Sequence, residues 1–200
     1  MRITAGMLAA IFVIAPASGA TAGTWAIDTA HSAAHFSVRH MMVSTVRGSF
    51  GKIEGSVELD ERDVTQSVIQ AAIDAGSIGT GVEARDNHLR SADFFDVAKY
   101  PTITFKSKRI TKEADGRLKA VGDLTMHGVS REVTLDVDPL SQAVEDGRGG
   151  RRTGTSASTR INRKDFGLTW NRVLETGGLT VGEEVAIIID VQLIQKTPGK

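Results

Sequence analysis

The 200-residue sequence has no cysteine. That excludes disulfides, a lipid-modified cysteine and a cysteine nucleophile, and it leaves the redox compartment unreadable from thiols. Net charge is absent too: 24 basic residues balance 24 acidic ones. No basic excess therefore points to a nucleic-acid partner. There is no Gly-x-Ser-x-Gly elbow and no serine on a strand-to-helix turn, so nucleophilic catalysis has no support. No pattern recurs at a fixed longer period, which excludes repeat architectures. Beyond the first twenty residues no apolar run is long enough to span a bilayer, so no stable membrane insertion is expected.

The N-terminus carries an address. Arg2 gives a positive start, Met7 to Ile14 is a short apolar run, and Ala15-Pro16-Ala17 and Ser18-Gly19-Ala20 offer small-residue cleavage sites. Residues 1–22 are read as a signal peptide and 23–200 as a single domain, with the mature chain starting near Ala20–Gly23. The expected location is periplasmic or secreted.

Most of the remaining chain alternates with the period of a half-buried strand. Ala34, Phe36 and Val38 share a face, as do Ile53, Gly55, Val57 and Leu59, and then Ile69, Ala71 and Ile73. Phe50 and Ile53 differ in parity, which predicts a bend near Gly51-Lys52. Further on, Ile103 with Phe105, then Leu118, Ala120, Gly122, Leu124 and Met126, then Val133, Leu135 and Val137 repeat the pattern. Asp115-Gly116 and His127-Gly128 mark hairpin turns. Pro139 to Arg152 is polar and Gly-rich and reads as a mobile loop. Thr153 to Ile161 is a strand of small residues, and Val185, Ile187, Ile189, Val191 and Leu193 form the strongest face.

One stretch, Thr80 to Phe105, interrupts the strands. Thr80 and Glu83 have the spacing of a capping box. The helix should fail near Ser91–Asp93, with Phe94-Phe95 anchoring its exit and Tyr100-Pro101 forcing extended backbone. Arg85, Asp86 and Arg90 are placed to form surface ion pairs.

About eight strands with hairpin links satisfy their edges best by closing into a barrel. Such an interior is either filled by side chains or holds one small ligand, and periodicity leaves both open. The small inward residues Ala34, Gly55, Ala71, Ala120, Gly122 and Ala157 favour a hollow one. The inward apolar candidates for ligand contact are Phe36, Val38, Ile103, Phe105, Leu124, Val133, Leu135, Ile187 and Ile189.

The five histidines do not make a metal centre by spacing, since His31 and His35 lie about 13 Å apart on a strand. No catalytic residue, metal or cofactor is expected.

A series of short blocks runs along the chain: Trp25, Ile27, Asp28, His31 and Ser32; Phe36 to Met41; Val46 to Phe50; and His88-Leu89-Arg90-Ser91 with Asp93-Phe94-Phe95-Asp96 and Tyr100-Pro101. Gly122-Asp123-Leu124-Thr125 with His127-Gly128-Val129 continues the series, and Asn162-Arg163, Asp165-Phe166-Gly167 and Glu175-Thr176-Gly177-Gly178 close it. In their order and spacing these blocks resemble the YceI-like family of bacterial lipid-binding proteins. The resemblance implies an all-β, eight-stranded antiparallel lipocalin-like barrel with a helical insertion. It implies a long apolar pore for a polyisoprenoid or other fatty-tailed amphiphile, bound without catalysis for transport or sequestration, and a homodimer. Thr155, with Thr159 on its face, stands where relatives often carry a bulky apolar residue, which implies a wider or more polar pore there. The competing class is an enzyme acting on such a lipid, with His40 or His127 as general base at the mouth.

Overall fold

The structure is a computed structural model and describes residues 23–173 and 177–196. The expected signal peptide lies outside the described residues, as do Glu175 and Thr176.

The strands are β1 (Gly23–Ile27), β2 (Ala33–His40), β3 (Ser44–Phe50), β4 (Ile53–Leu59), β5 (Val68–Asp74) and β6 (Ile78–Gly79), followed by helix α1 (Glu83–Arg90). Then come β7 (Thr102–Lys112), β8 (Leu118–Met126), β9 (Val129–Val137), β10 (Val144–Glu145), β11 (Gly150–Asn162) and β12 (Val181–Lys196). Three pairs of these are single runs with a break: β1–β2, β3–β4 and β5–β6. With β7, β8, β9, β11 and β12 they make an eight-stranded antiparallel meander. It closes because β12 pairs with β11 on one side and with β1 and β2 on the other. Closure removes the exposed edges that an open sheet would offer to other chains.

The breaks follow from sequence. Between β3 and β4, Phe50 and Ile53 are both buried although they differ in parity, so the chain must step over Gly51-Lys52. Between β5 and β6, Asp74 accepts from the Gly76 N–H at 2.8 Å and caps a 3-10 turn. Between β1 and β2 the chain turns at Asp28–Ser32. Burial pushes the Asp28 carboxyl up, but the bonds from His31, Ala30, Arg152 and Gln192 outweigh it and hold the group below its ordinary value. Ser32 Oγ accepts from the Gln192 N–H at 3.0 Å, tying the same break to β12. The Trp25–Ser32 block therefore holds a kinked strand in the barrel wall.

Two corrections concern the helical stretch. Its N-cap is Val82, with no side-chain cap, and not Thr80. Thr80 is instead gripped from within the helix: Asp86 Oδ1 accepts from the Thr80 N–H at 2.8 Å and from its hydroxyl, and Arg85 Nε donates to Thr80 Oγ1 at 2.7 Å. Arg90 turns inward instead of pairing with a carboxylate at the surface. It donates to the carbonyls of Gly76 at 2.9 Å and Ile78 at 2.7 Å, stapling α1 to the β5–β6 run. A guanidinium fork satisfies two orphan carbonyls at once, which a surface carboxylate would forgo.

A third correction concerns 139–152. Val144 and Glu145 pair with Arg152 and Arg151, and β11 already begins at Gly150. Leu140 and Ala143 pack against the core, so the segment is docked and not a free loop.

The buried side chains form two clusters. Trp25, Ile53, Leu59 and Leu193 belong to one cluster, and Phe105, Ile110, Leu118, Ala120, Leu135 and Val137 to a second. Each large apolar side chain among them contributes about 1.5–3 kcal/mol on burial.

Candidate functional site

The middle of the barrel is not filled. Inward residues there, including Phe36, Val38, Leu124, Val133, Ile187 and Ile189, stay only half-buried although they face the axis. Their accessible surface is the wall of an internal cavity of about 260 Å³. All nine inward candidates line it: Phe36, Val38, Ile103, Phe105, Leu124, Val133, Leu135, Ile187 and Ile189. Ile103 and Ile110 both line it from β7. At about 3.3 Å per residue they are some 23 Å apart along the strand, or about 18 Å along an axis tilted near 40°. The site is a long slot.

Its walls are thinned by small residues. Ala34, Ala71 and Ala157 line the cavity. Ala120 does not: at 1 % exposure it is packed within the second core cluster, whose members Ile110, Leu118, Leu135 and Val137 do line the cavity, so bulk added there would overpack the wall behind the lumen. Gly48 and Gly122 act differently. A Cβ on Gly48 would meet Phe36 Cζ at 2.5 Å, and one on Gly122 would meet Phe105 Cζ at 2.7 Å. Both rings therefore lie against glycine backbone along the wall, which keeps them out of the lumen.

The helical stretch closes one end. Leu89, Phe94 and Phe95 line the cavity there, joined by Leu168 and Arg163 from the β11–β12 connection. Phe95 meets Phe50 edge-on at 5.6 Å, and Phe50 meets Phe36 at 5.8 Å. Phe94 packs with His88 at 5.0 Å and Trp170 at 5.1 Å. Their place after the helix marks Phe94-Phe95 as an anchor in the sequence. Their second role, as cavity wall, depends on tertiary placement that local pattern does not encode.

Arg163 is the charged group that reasoning from sequence missed. It is buried and donates to the carbonyls of Gly182 at 2.9 Å, Val181 at 3.3 Å and Leu168. Burial pulls its guanidinium below the ordinary arginine value, which Glu183 opposes. It remains a cation at neutral pH. Three of its five N–H donors go to these backbone carbonyls, so it clamps the β11–β12 connection beside the cavity.

Thr155 and Thr159 both line the cavity. Their hydroxyls are engaged across the β9–β11 seam: Thr155 donates to the Asp138 carbonyl at 2.7 Å and Thr159 to the Thr134 carbonyl at 2.8 Å. The polarity of that strand is thus satisfied within the wall, and the lumen stays apolar. These bonds matter because the seam is thin. Among the described residues, the β9–β11 register is limited to Ala157↔Val137 and Ser158↔Asp136, extended on one side by the Asp138 N–H donating to the Ser156 carbonyl. Beyond them a side cleft opens, and Val133, Thr159 and Ile161 line both the cleft and the cavity.

Neither His40 nor His127 lines the cavity. His127 holds the β8–β9 turn with φ 52°, meets the Tyr100 ring edge-on at 4.8 Å and faces the Phe166 carbonyl at 3.3 Å. His35 is on the lining but is exposed, with Nε2 3.9 Å from Asp190 on the outer face. The described residues contain no cluster of three or more histidines and carboxylates able to hold a metal ion.

A closed eight-stranded barrel with a long apolar slot, capped by one short helix, defines a lipocalin-like β-barrel. Residues 25–193 match the YceI-like domain model, and the chain belongs to the YceI-like family. It is 40% identical over 158 residues to a UPF0312 protein of Staphylococcus aureus strain N315, covering 79% of this chain and 90% of the relative. Among solved structures it is similar to the YceI protein of Campylobacter jejuni, at 28% identity and TM-score 0.66 over 80% of this chain and 90% of that one. BcnA of Burkholderia cenocepacia shares the fold at 24% identity and TM-score 0.70, over 83% and 98%. A polyisoprenoid-binding domain of Saccharophagus degradans shares it at 17% identity and TM-score 0.61, over 88% and 99%.

Proposed function

We propose that this protein binds the apolar tail of a long-chain amphiphile, a polyisoprenoid or a fatty chain, inside the barrel. It carries or sequesters the molecule without transforming it. The observation that carries this reading is the slot itself: a cavity of about 260 Å³ whose walls are aliphatic and aromatic side chains, with strand hydroxyls turned into the wall. Each methylene moved from water into such a lumen contributes about 0.8 kcal/mol before ordering costs. Affinity is then spread over many contacts, and tail length sets it. The family supports a binding protein, and a polyisoprenoid-binding domain shares the fold.

On the same reading the mature chain acts in the periplasm or outside the cell, after loss of residues 1–22, and as a homodimer. Edman sequencing of the protein from the envelope fraction reads the cleavage, and light scattering reads the dimer. Native mass spectrometry of the purified protein tests the function: a co-purifying mass that extracts into organic solvent is expected. Protein that carries no such mass, and takes none up from a lipid extract, refutes the reading.

A further inference from the structure

The hairpin between β2 and β3 is built against its own residue preferences. Val43 N–H donates to the His40 carbonyl at 3.1 Å, and the two residues between, Met41 and Met42, have φ 50° and 62°. That is a two-residue turn with both central residues left-handed, the type that favours Asn-Gly. A Cβ is penalised there, and methionine gains nothing locally to offset it. The strained turn presents its side chains to solvent: Met41 is 43 % exposed, Met42 62 % and Val43 80 %.

The neighbouring loop adds to the patch. Met41 N–H donates to the Thr180 carbonyl at 2.8 Å, Thr180 N–H donates to the Arg172 carbonyl at 2.9 Å, and Val173 bridges to Leu179. Val173 is 79 % exposed. Arg39 and Arg172 are exposed beside these residues, and Arg47 is exposed farther down β3, opposite Ser37. Arg39 supports the turn from below, donating to the Met42 carbonyl at 2.8 Å. The hairpin segment 36–50 contains no Asp or Glu, although the whole chain balances to zero charge, while the loop that carries Arg172 also includes Glu175. The positive excess beside the apolar tip therefore comes from the hairpin, through Arg39 and Arg47. The tip also stands at the cavity's end, because Val38 and Val181 line the cavity and Val181 pairs with His40.

We propose that this tip docks the barrel on an anionic lipid bilayer, Met41, Met42, Val43 and Val173 entering the interface while Arg39, Arg47 and Arg172 meet lipid phosphates. Apolar burial plus attraction to anionic lipid is the general basis of interfacial binding. The inference rests on the amphiphile-binding reading only for its purpose, which is to hold the barrel at the source of the cargo.

The test is flotation of the full chain with vesicles of phosphatidylcholine containing phosphatidylglycerol, against vesicles of phosphatidylcholine alone. The wild type should float with the anionic vesicles, and less so at high salt, since exposed charges are screened. Met41→Asn/Met42→Gly restores the favoured turn, so it should melt at a higher temperature while losing at least tenfold in vesicle binding. Val173→Ser and Arg47→Gln should each weaken flotation with solution uptake of the amphiphile unchanged. Vesicle binding unaltered in the Asn-Gly variant overturns the proposal. So does a wild type that ignores both vesicles, including one that instead pairs with a second copy through this tip. Docking by protein that carries no amphiphile and takes none up from a lipid extract would refute the cargo reading and leave this one standing.

Discussion

Phe36 on β2 stands directly across the ladder from Gly48 on β3, and its ring occupies the space a side chain on Gly48 would need. The pair explains how a barrel this size carries aromatic residues on its inner face and still keeps a lumen. Gly48→Ala should push the Phe36 ring off the wall and press on the Gly79 carbonyl, which a Cβ would meet at 2.8 Å. Overpacking of this kind costs about 1–3 kcal/mol. Urea melts should show that loss, and a fluorescent fatty-acid probe should bind more weakly. Unchanged stability and binding would mean the ring is free to move aside.

Phe94 should prove the main anchor of the cavity's cap. It is buried, lines the slot and packs with His88 and Trp170. Phe94→Ala should cost about 3–5 kcal/mol, as for other buried aromatics. Thr80→Ala should remove the hydroxyl partner of Arg85 and Asp86, about 1 kcal/mol, while helix content by circular dichroism stays the same. A loss of helix in the Thr80 variant would restore Thr80 as a cap.

Acid should find the β1–β2 break. The folded carboxyl of Asp28 is held below its ordinary value by four hydrogen bonds that outweigh burial. Its stabilisation is therefore fully present above the unfolded carboxylate range, about pH 4, and disappears as pH falls through the folded value. Asp28→Asn should lower stability at neutral pH and flatten the acid limb of stability against pH. The contrast is read from denaturant melts at neutral and acid pH, and parallel acid limbs for the two proteins would rule out this role.

Strand faces were legible because alternation is read directly off runs such as Val185, Ile187 and Ile189, and all nine inward candidates do line the cavity. The illegible part depends on depth along the barrel. Ala120 and Ala157 look alike in sequence and pack in the same cluster, yet of the two only Ala157 reaches the lumen, a difference of tertiary placement that alternation does not encode. Thr80 misled for another reason. Its capping spacing to Glu83 is real, but Asp86 and Arg85 offered it more bonds than a cap would. Arg163 gave no signal beyond a motif, since its partners are backbone carbonyls that sequence does not label.

The most direct test adds bulk at a small residue on the lumen wall. Ala157 pairs with Ile189, lines the cavity and is only half-buried. Delipidated wild type and Ala157→Trp, both checked for fold by circular dichroism, are titrated with a long-chain prenyl or fatty amphiphile, and the bound molecule is extracted and weighed by mass spectrometry. The wild type should bind one tail and return it chemically unchanged, while Ala157→Trp folds and binds at least tenfold more weakly. Equal binding by the two proteins, or recovery of an altered product from the wild type, would contradict a non-catalytic tail site inside the barrel.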